Sequence, residues 1–103
     1  MKIFKQLNKK GYKHYYEGTI EELDLMDKSN QDLHSEIMQV IMWLYEKHGI
    51  WIYISDSSAR LGFRYQIQKL KILGENNFSS EERYNSPTEA YEAAIEYCLT
   101  KLI

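Results

Sequence analysis

Aromatic and hydrogen-bonding side chains alternate with aliphatic ones in two stretches of this 103-residue chain. Trp51 and Tyr53 fall between isoleucines in the first stretch, and Arg64 and Gln66 occupy the alternate positions of the second. Alternate side chains of a β-strand point to opposite faces, so the four would share one face of a hairpin. Tryptophan, tyrosine and arginine are enriched at the centres of protein interfaces. We therefore predict that these four residues bind a protein partner or a second copy of the chain.

The same face has two other interpretations. Aromatic rings beside arginine and glutamine also form stacking platforms for single-stranded nucleic acid. Residues 1–16 contain no acid and five lysines, which would complete a nucleic-acid-binding module: Lys2, Lys5, Lys9, Lys10 and Lys13. The net charge of −2 for the whole chain favours the protein partner. In the third interpretation, the N-terminal segment itself covers the sheet face with Ile3, Phe4, Tyr12 and Tyr15.

The sequence contains no residues at the spacing of a known catalytic or metal-binding motif. His14, His34 and His48 are far apart, and none forms a ligand-spaced pair with Cys, Asp or Glu. The serines around Asp56 lack the glycines of a nucleophile elbow. Cys98 falls on an apolar helix stripe, where a small buried thiol is the usual interpretation. We therefore predict a non-enzymatic protein without a catalytic residue, metal or cofactor.

A helix followed by a strand is expected to position the first half of the aromatic face. Apolar residues recur at helical spacing from Leu33 to Lys47, with Met38, Met42 and Tyr45 on a shoulder that widens the apolar stripe. Asp32 or Ser29 would cap the start of this helix, and Gly49 would end it. The β-branched and aromatic residues from Ile50 to Ser55 then predict a strand.

A second extended segment is predicted from Arg60 to Leu73, where apolar and polar residues alternate as in a half-buried strand. Leu70 and Ile72 change parity, which predicts a bulge or a break near Lys69. A third strand would follow, from Phe78 to Tyr84. In this arrangement the inner face of the sheet carries three isoleucines and three further apolar residues: Ile50, Ile52, Ile54, Phe63, Tyr65 and Ile67.

The last helix has the clearest start signal in the chain. Ser86 is its expected N-cap, Pro87 occupies the first helical position, and Glu89 closes a capping box. We expect the helix to continue to about Leu102. Its apolar stripe would consist of Tyr91, Ala94, Ile95, Cys98 and Leu102, with Glu89, Glu92 and Glu96 outside.

The N-terminal third is more polar. Residues 1–16 predict a β-hairpin, because the turn residues Asn8-Lys9-Lys10-Gly11 separate two runs of apolar and polar residues. Residues 17–32 form an acidic connector, in which Thr19 and Glu22 make a capping box for a short helix reaching Met26. Grouped strands with helices on one face predict an α+β two-layer sandwich, with an α-β-β-β-α core over residues 33–103 after the N-terminal hairpin.

Two stretches, residues 42–52 (MWLYEKHGIWI) and 86–99 (SPTEAYEAAIEYCL), resemble parts of small uncharacterised proteins of gut bacteria and their phages. In that group a helix runs into an H-x-I-x-I strand, and the final helix begins with S/T-P/x-x-E-A. The likeness covers about residues 36–102, and its motifs are structural. It therefore implies this fold and a phage or mobile element as the source, and it implies no activity.

The α-β-β-β-α order also looks like that of double-stranded RNA-binding domains. Those domains carry a lysine cluster at the start of the last helix, where this chain has Thr88-Glu89-Ala90-Tyr91-Glu92. Acidic residues repel phosphate, so this departure argues against RNA binding by that helix. The chain length predicts a single domain, and the lack of a signal peptide or membrane-length apolar run predicts a cytoplasmic protein that binds no membrane.

Overall fold

The computed structural model describes residues 3–58, 61–69 and 77–103. Three helices come first: α1 (Ile3–Lys9), α2 (Ile20–Leu25) and α3 (Gln31–His48). They are followed by the strands β1 (Ile50–Ser58), β2 (Gly62–Lys69) and β3 (Asn77–Ser79). The last element, α4 (Pro87–Tyr97), continues into a π-helical turn over Cys98–Leu102. The predicted α+β class is confirmed.

The three described strands form an antiparallel sheet in the order β1-β2-β3. Ile52 pairs with Ile67, and Ile54 pairs with Tyr65. Ile50, Ile52, Tyr65 and Ile67 are buried on the inner face, where α3 contacts β1 and α4 contacts both β1 and β2. The alternation in the sequence therefore predicted the side that the helices cover, although Ile54 and Phe63 of the predicted inner face are only half-buried.

Glycine ends α3, as predicted. Gly49 has φ 65° and ψ 31°, a left-handed conformation that glycine adopts without a steric penalty. The predicted caps at the start of this helix are wrong, because the side chain of Asn30 accepts the hydrogen bond from Asp32 N, at 2.8 Å. Ser29 is engaged in a separate turn, in which its backbone and side chain both bond to Asp27.

The predicted N-terminal hairpin is wrong, because α1 occupies its first half. The Asp24 carboxylate accepts hydrogen bonds from the backbone N–H groups of Phe4 (2.8 Å) and Lys5 (3.1 Å). A carboxylate twenty residues away thus stabilises the first turn of α1. The residues of α1 that face the core, Ile3, Phe4 and Leu7, are buried.

The acidic connector contains the predicted short helix. Thr19 caps α2 by accepting a hydrogen bond from Glu22 N, at 3.1 Å. Leu23 of α2 is fully buried, and α2 packs against α1. Residues 17–32 are therefore part of the folded body through this helix.

The third strand is shorter than predicted. It ends at Ser79, and the next pairing is an isolated bridge between Tyr84 and Phe63. The regular ladder ends at Ser80: its backbone N–H still donates to Tyr65 O, but Tyr65 N donates to the Ser80 hydroxyl, which in turn donates to Glu82 O. A bulge is present in β1 between Ile54 and Asp56, whereas the predicted break after Lys69 involves residues 70–73, outside the described residues.

Ser86 caps α4 by accepting a hydrogen bond from Glu89 N (3.2 Å), with Pro87 in the first turn, as predicted. The helical geometry changes at Cys98, four residues before the predicted end. Thr100 Oγ1 donates to the carbonyl of Glu96 at 2.9 Å, and such back-bonding competes with regular helical hydrogen bonds. The buried stripe of this helix is rotated slightly from the prediction and consists of Ala90, Ala94, Ile95, Cys98 and Leu99.

Candidate functional site: the aromatic face of the sheet

The outer face of the β1–β2 hairpin carries the four residues predicted to bind a partner. Tyr53 of β1 is paired with Gln66 of β2. Trp51 and Arg64 lie on the same face by alternation, and all four side chains are half-buried while the neighbouring isoleucines 50 and 52 are buried. The structure therefore brings Trp51, Tyr53, Arg64 and Gln66 together on the side of the sheet opposite the helices.

Arg64 is held in place by the chain itself. Its Nε and Nη2 atoms donate to the carbonyl oxygen of Ser80, at 2.9 and 2.7 Å. This forked contact ties the segment after β3 to β2. Arg64 therefore supports the sheet, and two of its donors are already used within the chain.

An exposed apolar surface continues from the sheet onto α3. The rings of Tyr45 and Trp51 meet edge to face, with centroids 5.5 Å apart and planes at 72°. Met38 and Met42 lie on the same exposed side of α3, two turns and one turn before Tyr45, and are 44% and 45% exposed. We call the surface formed by Met38, Met42, Tyr45, Trp51 and Tyr53 the apolar band.

The helical part of the band was not predicted as a surface. Helix α3 packs on the core with the side that bears Ile37, Val40 and Leu44. The shoulder makes the apolar surface of α3 wider than the side of the helix that is buried. The apolar residues beyond that buried side remain exposed to solvent. That excess width was the signal in the sequence that pointed to Met38, Met42 and Tyr45.

From residue 3 onward, where the structure describes it, the N-terminal segment does not cover the aromatic face. Helix α1 packs against α2 and α4, and the Tyr12 ring contacts Trp43 of α3 with centroids 5.5 Å apart. The interpretation as a cover for the sheet is therefore wrong. Four of the five lysines, Lys5, Lys9, Lys10 and Lys13, are exposed on this helical side, and Lys2 lies outside the described residues.

The histidines occupy separate places. His34 lies in the first turn of α3, with Nε2 in hydrogen-bonding contact with Lys28 O and 2.8 Å from Thr88 Oγ1. His48 lies against Trp43, with ring centroids 4.9 Å apart; burial and the nearby Lys10 charge lower its pKa. Within residues 3–58, 61–69 and 77–103, no three His, Cys, Asp or Glu side chains are grouped to hold a metal ion.

Comparisons of the chain with protein-family models, with curated proteins and with solved structures find no significant match. The likeness to small proteins of gut bacteria and phages therefore stays a prediction. No helix in the described part of the chain has both the length and the apolar character needed to span a bilayer.

Proposed function

We propose that this chain is a non-enzymatic interaction module that binds a protein surface through the apolar band, and that the surface it binds is the band of a second copy. The edge-to-face contact between Tyr45 and Trp51 carries this proposal. It joins Tyr45, on the side of α3 that bears Met38 and Met42, to Trp51 at the start of β1.

The composition of the band supports a protein partner. Contiguous apolar patches on the surface of a folded chain commonly mark interaction sites, and aromatic residues and methionine are enriched in protein interfaces. Tyr45 is 41% exposed, similar to the two methionines on the same side of α3. Burial of these side chains would supply the hydrophobic driving force for association.

The charge and topology of the band support a second copy as the partner. The five side chains of the band are uncharged, so two bands can meet about a twofold axis without like-charge repulsion. Strand β1 lies at one edge of the described sheet, and the bulge begins only after Ile54. Antiparallel pairing of residues 50–54 with the same strand of a second copy would bring Trp51 and Tyr53 of both copies side by side.

Nucleic-acid binding has less support. Phosphate contacts by lysine and arginine dominate the affinity of such proteins. Lys5 and Lys9 lie on α1 and Lys10 directly after it, whereas Trp51 and Tyr53 lie on the outer face of the sheet. Lys13 lines a depression with Met42, at the helical end of the band. Arg64 also already uses its Nε and Nη2 donors within the chain, on the carbonyl oxygen of Ser80.

Sedimentation velocity over a range of concentrations tests the proposal. We expect the wild-type chain to form a dimer and the Trp51→Ala/Tyr53→Ala variant to dissociate at least about tenfold more readily, since one interface anchor contributes more than about 1.4 kcal/mol. Leu25→Ala is the matched control, because Leu25 is 78% exposed on α2 and lies outside the band. Met42→Lys, on the exposed side of α3, tests the band without altering the sheet.

A wild-type chain that stays monomeric up to about 1 mM would contradict binding to a second copy. Unchanged dimerisation in both band variants, with circular dichroism like that of the wild type, would show that another surface is used. An electrophoretic mobility-shift assay with single-stranded DNA tests the alternative of nucleic-acid binding. Such binding would weaken steeply as the salt concentration is raised.

A further inference from the structure

A groove of about 630 Å³ lies between the first turns of α3 and α4 and the loop before α3. We propose that this groove binds a small carboxylic acid with an aromatic or branched aliphatic body. Its volume lies within the range of roughly 300–1,000 Å³ that small-molecule sites have. The site is separate from the sheet face, and it shares only Met38 with the apolar band.

The walls of the groove are mostly apolar. Helix α3 contributes Ile37 and Met38, and α4 contributes Pro87 and the ring of Tyr91. His34 and Thr88 contact each other and so join the two helices at one end of the groove. The four apolar residues lie about one turn or less along their helices from His34 or Thr88. An apolar body would therefore lie between the helices, with its polar group beside His34 and Thr88.

The positions of the hydrogens at this end follow from the hydrogen-bond partners of His34. A backbone carbonyl can only accept, so the contact with Lys28 O requires a proton on His34 Nε2. Thr88 Oγ1, 2.8 Å from the same nitrogen, is then a second acceptor for that proton. The proton of the Thr88 hydroxyl is left free to bond a ligand.

Two more hydroxyl groups, on residues that line the groove, also have a proton free to bond a ligand. Ser86 Oγ accepts a hydrogen bond from Glu89 N, which leaves its own proton free. The Tyr91 hydroxyl has no hydrogen-bond partner among the residues that the structure describes. Burial raises the pKa of Tyr91, so the phenol keeps its proton at neutral pH. Three hydroxyl donors therefore favour a ligand group with several acceptors and no donor, which describes a carboxylate.

The charged groups around the groove are already paired within the chain, so the hydroxyl donors would hold the acid without an ion pair. Among the described residues that line the groove, Asp27 is the one with a carboxylate, and it already accepts hydrogen bonds from the backbone N–H and the hydroxyl of Ser29, both at 2.9 Å. The Lys28 ammonium lies at the rim, 3.8 Å from carboxylate oxygens of both Glu89 and Glu92. The positive ends of the α3 and α4 dipoles add to the potential at this end of the groove.

Matched probes test the chemistry of this site. We expect 4-phenylbutyrate to shift the amide resonances of His34, Met38, Thr88 and Tyr91 in a saturable titration followed by NMR. We expect 4-phenylbutan-1-ol, which has the same apolar body, to bind at least about tenfold more weakly, as the loss of one or two good hydrogen bonds implies.

Variants without the donors complete the test. Thr88→Val/Tyr91→Phe preserves the shape of the groove and should weaken phenylbutyrate binding at least about tenfold, and Tyr91→Phe alone about threefold. Tyr97→Phe is the matched control, because Tyr97 lies on α4 against Phe78 and outside the groove. No saturable shift below about 10 mM acid, equal affinity for the acid and the alcohol, or undiminished binding by Tyr91→Phe would each overturn the proposal.

Discussion

The Tyr12 hydroxyl donates a 2.6 Å hydrogen bond to the Glu36 carboxylate, and both residues are at least 95% buried. The bond joins the segment after α1 to the second turn of α3. Tyr12 also contacts Trp43, two turns further along α3. A buried carboxylate is costly without a partner, so this single hydroxyl fixes where the N-terminal segment lies on the helix layer.

Removal of that hydroxyl should destabilise the protein. Tyr12→Phe leaves the buried Glu36 carboxylate without its donor, and we expect the free energy of unfolding to fall by about 1–3 kcal/mol in urea titrations. Tyr15→Phe is the matched control, because Tyr15 is 75% exposed, and it should change stability by less than about 0.5 kcal/mol. Equal stability of the two variants would contradict the role of the bond.

Ser80 is predicted to stabilise the sheet more than its neighbour Ser79 does. Its hydroxyl accepts from Tyr65 N at 3.2 Å and donates to Glu82 O at 2.9 Å. Ser80→Ala leaves the buried Tyr65 N–H without this acceptor and should cost about 1–3 kcal/mol in chemical denaturation. Ser79→Ala, at an exposed position, should be nearly neutral, and a similar loss in both variants would refute the prediction.

Alkaline pH should destabilise the fold through buried tyrosines. Burial, followed by neighbouring tyrosines and other groups, raises the pKa of Tyr65 from 10.0 to about 12, and burial with the Glu36 hydrogen bond and charge also raises the pKa of Tyr12. The folded state therefore holds these protons more tightly than the unfolded state. Their contribution to stability is complete below pH 10 and is lost as the pH rises from 10 toward the folded pKa.

Urea unfolding at several pH values between about 8 and 11 measures this loss. Tyr65→Phe should show a shallower decline in the free energy of unfolding above pH 10 than the wild-type chain. Tyr15→Phe should decline like the wild type. If Tyr65→Phe lost stability with the same slope as wild type, titration of Tyr65 would not contribute.

Cys98 is predicted to be unreactive in the folded protein. Its side chain is fully buried, and burial raises the pKa of its thiol to about 12. The thiolate is the reactive form, so a disulfide reagent at about pH 8 should modify the native chain at least about a hundredfold more slowly than the urea-unfolded chain. Rates within about tenfold of each other would show that the end of α4 opens readily.

Local signals in the sequence predicted α3, β1 and the start of α4 because each signal acts within a few residues. Gly49 ends α3 through its own backbone conformation, and Ser86 caps the helix that begins next to it. The alternation in β1 and β2 predicted which side chains share the aromatic face, since strand geometry alone determines it.

The N-terminal helix could not be predicted in the same way. Asn8-Lys9-Lys10-Gly11 suits a hairpin turn, and it equally suits the end of a helix followed by glycine in the left-handed region, which is what Gly11 adopts with φ 100°. The contact that stabilises the helix comes from Asp24, which is distant in the sequence. The groove depends on a still longer separation, between His34 and Thr88.

Gly49 is the only residue between the end of α3 and the start of β1. Because side chains alternate along a strand, an insertion or deletion of one residue at this junction would exchange the two sides of β1. Ile50 and Ile52 would turn to water, and Trp51 and Tyr53 would turn toward the helices. The length of this connection therefore couples the interior of the protein to its contact surface. A substitution can change the interior or the contact surface alone, whereas an insertion or deletion at this junction changes the two together.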